Sequence, residues 1–318
     1  MNKVRTILED VDPSLLGHTQ CHEHLFLKKG PSYTITPVLL MESLENTIAE
    51  LLDFRKAGGV SVVDAQPAYC GRIAENLVRA AQDTKVKIIA STGFHKLEYY
   101  PSECQIFTKS YDELVNFFVH EIEEGMISST NDWLTSYRAG IIKVALDSSG
   151  PRHSLISQKL LEAAISSALK TGAALLCHTD DGIQPTEYIE FMLHCGLSPH
   201  RIILSHLDRT CLHNELLIKE SLSKGIYITL DTIHRYKYRD DKSERQLIME
   251  LSQAGYARQM LLSLDTTNQR LRHYGGEIGL DYLLRSFLQL LKDDGVAESD
   301  LFYMTVGNAS HVLPLQPK

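Results

Sequence analysis

The sequence has few features of a secreted or membrane protein. Its six cysteines are scattered, with no C-x-x-C pair, which argues against a disulfide framework and indicates reduced thiols. No uncharged apolar run is long enough to cross a bilayer, and the first ten residues lack the apolar core of a signal peptide. We therefore expect a cytoplasmic protein that does not enter membranes.

Excess positive charge and nucleotide-binding loops are also missing. The formal net charge is −8, which argues against a general nucleic-acid surface. No G-x-G-x-x-G or Walker-type loop follows the first predicted strand, which counts against a dinucleotide-binding fold. No linker or low-complexity tract divides the chain, so we expect a single domain over residues 1–318.

Short apolar runs alternate with amphipathic stretches along the whole sequence. Eight runs predict strands, at 17–26, 59–65, 86–92, 140–146, 173–178, 201–206, 226–230 and 259–264. Six stretches predict helices, at 44–54, 111–124, 155–170, 186–195, 214–224 and 244–254. Repeated strand–helix alternation with apolar strands predicts a closed (β/α)8 TIM barrel, with the first fifteen or so residues as a lead-in at its bottom.

Side chains suited to metal binding stand at the ends of five predicted strands. In this fold the active site lies at the carboxyl ends of the strands. His22 and His24 are two residues apart, so both imidazoles should lie on one face of the first strand. The fourth, fifth, sixth and eighth strands end near Lys143, His178, His206 and Asp265, respectively. Six such side chains at one depth of a barrel predict a metal centre.

The remaining histidines and two neighbouring cysteines are interpreted as structural. Strand alternation predicts that Cys21 and Cys177, which adjoin predicted ligands, point away from the site and pack in the barrel wall. Six further histidines are assigned to structural or surface positions. They are His18, His120, His194, His200, His213 and His273.

This set of residues resembles the phosphotriesterase family of the amidohydrolase superfamily, over nearly the whole chain. The resemblance implies two divalent metal ions, with zinc expected and manganese, cobalt or iron as alternatives. By this likeness, His22, His24 and Asp265 hold the more buried ion, and His178 and His206 hold the other. Homodimers are common among such relatives, so a homodimer is also an expectation.

The resemblance gives Lys143 a particular role, because it implies that the lysine amine is carboxylated and bridges both ions. A plain buried ammonium would repel the metals and would be costly without a partner, whereas a carbamate is an anionic ligand. The implied reaction is the opening of a lactone by a hydroxide that bridges the ions. In this hypothesis Asp265 takes the proton and passes it to the leaving alkoxide, and Asp208 assists.

The loops after the last two strands are basic and aromatic in an otherwise acidic protein. Arginine and lysine are the expected partners of a phosphate group, and loops of this fold often bind one. A branch of the family that opens phosphorylated sugar lactones is similar here, and a solvated charged loop is the alternative. The candidate substrate residues are Arg235, Lys237, Tyr238, Arg270, Arg272, Tyr274 and, from the third loop, Tyr100. The expected substrate is therefore a small anionic or phosphorylated molecule.

Other functions remain open at this point. Within the family they are hydrolysis of organophosphates or other phosphotriesters, of carboxylic esters, or of acyl-homoserine lactones. Thr232 stands where the resemblance places a proton-relay histidine in organophosphate-hydrolysing relatives, and His234 is offset from that position. This difference disfavours efficient phosphotriester hydrolysis. A barrel that has lost catalysis and serves as a binding protein is the alternative from a different class.

Overall fold

A parallel eight-stranded barrel forms the centre of the computed structural model, which describes residues 2–212 and 214–316. The strands β1 to β8 are His18–Glu23, Gly59–Asp64, Lys87–Gly93, Ile141–Leu146, Leu175–Thr179, Ile202–Ser205, Tyr227–Leu230 and Met260–Leu262. Each coincides with one predicted strand, and each pairs in parallel with the next. The predicted (β/α)8 fold is therefore confirmed. His213, which the sequence analysis assigned to a structural or surface position, lies outside the described residues.

Helices follow the strands on the outside of the barrel. Helices α1 to α7 are Leu44–Lys56, Ala74–Thr84, Tyr111–Glu123, Leu155–Thr171, Pro185–His194, Leu216–Ser223 and Asp241–Gln253. Past β8 the chain forms the helical segments Leu283–Phe287, Leu288–Asp293, Glu298–Phe302, Tyr303–Gly307 and Asn308–Val312. The sequence-based prediction missed α2, although apolar residues recur there at helical spacing. A capping box between Ser110 and Glu113 fixes the start of α3.

Shorter elements fill the connections. Short helices are found at Pro31–Ile35 and Leu207–Thr210. Single 3-10 turns are found at Pro13–Leu15, Pro37–Leu39, Leu97–Tyr99, Pro199–Arg201, Ala257–Gln259 and Arg272–Tyr274. The lead-in pairs Val4–Arg5 with Asp10–Val11, and Gly125–Ile127 pairs with Trp133–Thr135. Because the backbone N–H of Ile7 donates to Ile88 O near the start of β3, the lead-in covers the barrel bottom, as predicted.

Alternation along the strands divides the core into two layers. Val63, Leu176 and Ile203 belong to the cluster that fills the inside of the barrel. Their neighbours face the helices, and Cys177 is among them, as alternation predicted. The inner cluster occupies the lower part of the barrel, so the carboxyl ends of the strands are left for polar side chains.

Strand β1 contains a β-bulge that changes this alternation. Its register with β2 shifts between Gln20 and Glu23, so Cys21 and His22 together face one residue, Val63. Cys21 therefore packs in the inner cluster, and the prediction that it points away from the barrel interior is wrong. A bulge re-aims side chains beside an active site, and here it places His22 at the top of the inner layer.

The closure between β1 and β8 relies on side chains. Ser263 Oγ accepts hydrogen bonds from the backbone N–H groups of Cys21 (2.8 Å) and His22 (3.0 Å). The buried carboxylate of Glu23 accepts from the backbone N–H of Leu264 (2.7 Å). These bonds hold the first and last strands at a fixed distance, and that distance sets the separation of the side chains that follow.

Among the described residues, no helix combines the length and the apolar character that crossing a membrane requires.

Candidate metal centre

The six side chains predicted as metal ligands converge at the carboxyl ends of the strands, and all of them are buried. They are His22, His24, Lys143, His178, His206 and Asp265. His22 Nε2 lies 2.9 Å from Lys143 Nζ, and His206 Nε2 lies 2.9 Å from His178 Nδ1. His24 Nε2 lies 3.4 Å from Asp265 Oδ1. The structure therefore brings together side chains that the sequence separates by up to 243 positions.

This arrangement fits a divalent cation. Donor atoms of His22, His206 and Asp265 lie within 4.8 Å of one another, which a single ion can bridge. The two nitrogen pairs at 2.9 Å, one between His22 and Lys143 and one between His206 and His178, are as close as expected of ligands that point at a common centre. Imidazole and carboxylate together favour zinc and similar divalent ions.

Two of these residues have unusual backbone conformations. His206 directly follows β6 and Asp265 lies three residues after the end of β8, and both have positive φ values, +69° and +50°. Left-handed backbone is costly for residues with a side chain and is concentrated at functional sites. The backbone N–H of Asp265 donates to His22 O (3.1 Å), which ties this strained residue to β1.

Asp231 completes the site from behind and was missed by the sequence-based prediction. Its Oδ2 lies 3.0 Å from His22 Nδ1 and its Oδ1 lies 2.6 Å from His206 Nδ1. Thr229 Oγ1 also donates to Oδ2 (2.7 Å). A carboxylate on Nδ1 leaves Nε2 of each histidine free to bind metal. Asp231 follows the last residue of β7, so the strand-end rule used for the predicted ligands could have identified it.

A second carboxylate contacts the predicted ligands from the cavity side. Asp180 Oδ1 lies 3.0 Å from His178 Nε2, while His178 Nδ1 faces His206. The same oxygen lies 2.5 Å from Lys96 Nζ. Asp180 therefore orients the imidazole of His178 and links it to the ammonium group of Lys96 at the cavity wall.

Burial keeps the histidines in the form that binds metal. It lowers the pKa of His22 to about 3 and that of His206 to about 4, so both are neutral near pH 7. Burial also lowers the pKa of Lys143 to about 8, against the opposing effect of Asp265 and Asp231. Neutral imidazoles donate lone pairs to a metal, and the lowered pKa of Lys143 makes its neutral amine more accessible than that of an ordinary lysine.

Asp265 has an environment that keeps it ionised. Although burial alone would raise its pKa, the charge of the nearby Arg235 guanidinium holds the pKa of Asp265 well below its usual range. Arg209 and Arg235 each lie 3.1 Å from Asp265 Oδ2, so Oδ1 is left facing His24. One carboxylate oxygen is thus held by guanidinium groups and the other faces the cluster.

Asp208 is held by backbone groups at the end of β7. Its Oδ2 accepts hydrogen bonds from the backbone N–H groups of Asp231 and Thr232, both at 2.7 Å. No hydrogen bond joins Asp208 to Asp265 within the part of the chain that the structure describes. Asp208 therefore lies behind the predicted ligands and positions Asp231, and its assistance in proton transfer stays a prediction.

A cavity of about 840 Å³ opens above the cluster. Four of the predicted substrate residues line it, namely Arg235, Lys237, Tyr238 and Arg270. Lys237 is exposed and lies 5.1 Å from the ring centroid of Tyr238. The guanidinium of Arg270 donates to the carbonyl oxygens of Ile233 (2.5 Å) and His234 (3.0 Å), so it also holds the loop after β7.

The structure does not bring three of the predicted substrate residues to the lining of this cavity. Tyr100 is packed in the core, where its Oη accepts a hydrogen bond from His95 N, while the adjacent Tyr99 lines the cavity. Arg272 pairs with Asp281 (2.6 Å), and Tyr274 Oη donates to Ser43 O (2.8 Å). The 3-10 turn Arg272–Tyr274 directs the side chains of Arg272 and Tyr274 to the outer helices.

Comparison with known proteins agrees with this geometry. The family model of the phosphotriesterase family matches residues 2–313. The chain belongs to the phosphotriesterase family. Family membership accounts for the barrel and for metal-dependent hydrolysis as the general chemistry of the site.

Individual relatives within the phosphotriesterase family cover nearly the whole chain. A phospho-furanose lactonase of Mycoplasmopsis synoviae is 31% identical over 333 residues, which span 99% of this chain and 92% of that protein. An amidohydrolase structure from Mycoplasma synoviae superimposes with a TM-score of 0.90 at 30% identity, covering 100% and 93% of the two chains. The phosphotriesterase homology protein of Escherichia coli, solved with phosphate in its active site, gives 0.83 at 26% identity, covering 93% and 98%.

Proposed function

We propose that this protein is a lactonase that opens the ring of a phosphorylated sugar lactone. The observation that carries the proposal is a cavity lined both by members of the predicted ligand cluster and by the cationic side chains of Lys237 and Arg270. The 31% identical relative named phospho-furanose lactonase and the phosphate in the Escherichia coli structure support the phosphorylated substrate.

The donor set supports a centre of two divalent ions, with zinc favoured by imidazole and carboxylate ligands. His22, His24 and Asp265 would hold one ion, and His178 and His206 the other. Such a centre, when bound, polarises a carbonyl oxygen and lowers the pKa of water.

We include a carboxylated Lys143 in the proposal. The side chain is fully buried and its Nζ faces His22 Nε2 at 2.9 Å, where an ammonium would oppose a cation. The amine and carbon dioxide form a C–N bond and release one proton, which leaves an anionic carbamate on Lys143. That group would be a bridging ligand between the two halves of the donor set.

The charges of the cavity wall favour an anionic substrate. Arg209 and Arg235 contact Asp265, and Lys96 contacts Asp180. In contrast, Lys237 and Arg270 have no carboxylate within ion-pair distance among the described residues. A phosphate on the substrate would supply the missing anions and orient the lactone over the cluster.

The reaction adds water across the lactone ester bond. Oxygen of water bonds to the carbonyl carbon, the ring C–O bond breaks, and the products are a hydroxy acid anion and one proton. Asp265 takes a proton from the attacking water and passes it to the leaving alkoxide. Its Oδ1 faces the cluster while Arg209 and Arg235 hold Oδ2, so the accepting oxygen keeps its orientation.

A panel of phosphorylated and unphosphorylated lactones, read by proton release, tests this function. Lys237→Ala should raise KM for phosphorylated lactones and leave KM for unphosphorylated ones nearly unchanged. Lys242→Ala is the matched control, because Lys242 is an exposed lysine of α7 outside the cavity lining. Equal effects on both substrate classes would refute the phosphate contact.

The alternatives give different results in the same experiment. Metal-loaded protein that hydrolyses phosphotriesters or simple carboxylic esters, and no lactone, would replace lactonase with one of those activities. Protein that turns over no ester and retains less than one divalent ion per chain would favour a binding protein without catalysis.

A further inference from the structure

His95 lines the cavity but has no role in the reaction as described so far. It follows β3 and is only 5% exposed. Its ring centroid lies 5.0 Å from that of His178 and 6.3 Å from that of His24. His95 therefore lies over the ligand cluster, between one predicted ligand of each ion.

Backbone contacts fix the turn that carries His95. Gly93 ends β3 with a φ of +98°, and a Cβ there would lie 2.0 Å from Lys143 O, so the turn requires glycine. The next residue, Phe94, donates its backbone N–H to Lys143 O (2.9 Å). The backbone N–H of His95 itself donates to Tyr100 Oη (2.9 Å). The turn is thus attached to β4 beside Lys143.

A hydrogen bond within this turn determines the tautomer of His95. The backbone N–H of Lys96 lies 2.7 Å from His95 Nδ1, and an N–H can only donate. Nδ1 must therefore present its lone pair, which places the proton of the neutral ring on Nε2. A doubly protonated ring would bring two N–H groups against each other.

The Nε2–H group has no partner within the protein. No hydrogen bond joins it to any residue in 2–212 or 214–316, and it is not among the enclosed unpaired atoms, so it opens into the cavity. The cationic donors nearby are engaged, since Arg209 and Arg235 contact Asp265 and Lys96 contacts Asp180. His95 thus provides a free, neutral donor directly above the cluster.

We propose that the Nε2–H of His95 donates a hydrogen bond to the carbonyl oxygen of the substrate, which makes His95 a catalytic residue. The proposal rests on the lactone-opening function above. When water adds to the carbonyl carbon, the π electron pair moves onto this oxygen, and it returns when the ring C–O bond breaks. A donor fixed before the reaction stabilises the charged oxygen more than the uncharged carbonyl.

Three variants of His95 test the donor. His95→Phe removes it, His95→Asn places an amide near the position of Nδ1, and His95→Gln places an amide N–H near the position of Nε2. We expect kcat to fall by about 10²–10³ in the Phe and Asn variants, with KM changed much less. The Gln variant should recover most of the lost kcat. Equal activity in all three variants would overturn the proposal.

Metal content and tautomer give readouts that do not depend on catalysis. Divalent ions per chain should match the wild type in all three variants, and loss of metal would make His95 a ligand and overturn the proposal. In ¹⁵N-histidine NMR of the wild type, His95 should carry its proton on Nε2, whereas an Nδ1–H or charged ring would overturn it. If wild-type protein opens no lactone, the lactonase function fails, and the NMR measurement still decides the state of His95.

Discussion

Replacing Asp231 with asparagine removes the carboxylate that two predicted metal ligands share. Asp231 Oδ2 accepts from His22 Nδ1 at 3.0 Å and Oδ1 accepts from His206 Nδ1 at 2.6 Å. Asparagine keeps the shape but has one carbonyl oxygen and one NH2 group. It can accept a hydrogen bond from one histidine only, and the other histidine must then accept at Nδ1.

The expected loss of metal affinity follows from this change of tautomer. The histidine that accepts at Nδ1 carries its proton on Nε2, the nitrogen that faces the cluster, and so loses its ligand lone pair. Loss of such an orienting contact weakens metal binding by about 10–100-fold, which is about 1.4–2.8 kcal/mol. We expect Asp231→Asn to retain less metal than the wild type at every chelator concentration.

The assay is metal per chain, measured by atomic emission after equilibration with graded chelator. Asp64→Asn is the matched control, because Asp64 is a buried carboxylate on β2 whose Oδ1 accepts from the backbone N–H of Leu25 (2.8 Å). That variant should lose thermal stability without a change in metal retention. If Asp231→Asn retains metal as the wild type does, Asp231 does not set the histidine tautomers.

Two further predictions concern stability. Glu121→Gln should cost about 3–5 kcal/mol in urea unfolding, since it leaves the buried guanidinium of Arg72 without a counter-charge, and a loss below about 1 kcal/mol would contradict this. For His18, burial lowers the pKa in the folded state to about 4, against 6.5 in the unfolded chain. The unfolded state therefore binds more protons below pH 6.5, and stability falls as pH drops towards 4. Between pH 7 and pH 5, the free energy of unfolding should fall by about 2 kcal/mol less in His18→Gln than in the wild type. An unchanged dependence of the unfolding free energy on pH would refute this prediction.

The sequence was sufficient to predict the strands and the side chains that converge at their carboxyl ends. Parallel barrel strands are apolar on both faces, and their carboxyl ends meet at one rim, so a candidate ligand such as His178 is recognisable from its place at the end of an apolar run. The loops were harder to predict. Tyr99 and Tyr100 have the same chemistry in the sequence, but the 3-10 turn Leu97–Tyr99 directs one to the cavity and the other to the core.

The sequence by itself determined the type of fold and the type of chemistry, because both depend on local periodicity and on residue types at strand ends. Only the tertiary structure decided how the predicted ligands are held. Asp231 contacts His22 and His206 from a third strand, and the bulge beside Cys21 depends on the register with β2. The free donor of His95 depends on the conformation of one turn. These properties arise from distances between segments far apart in the chain, which residue order alone does not specify.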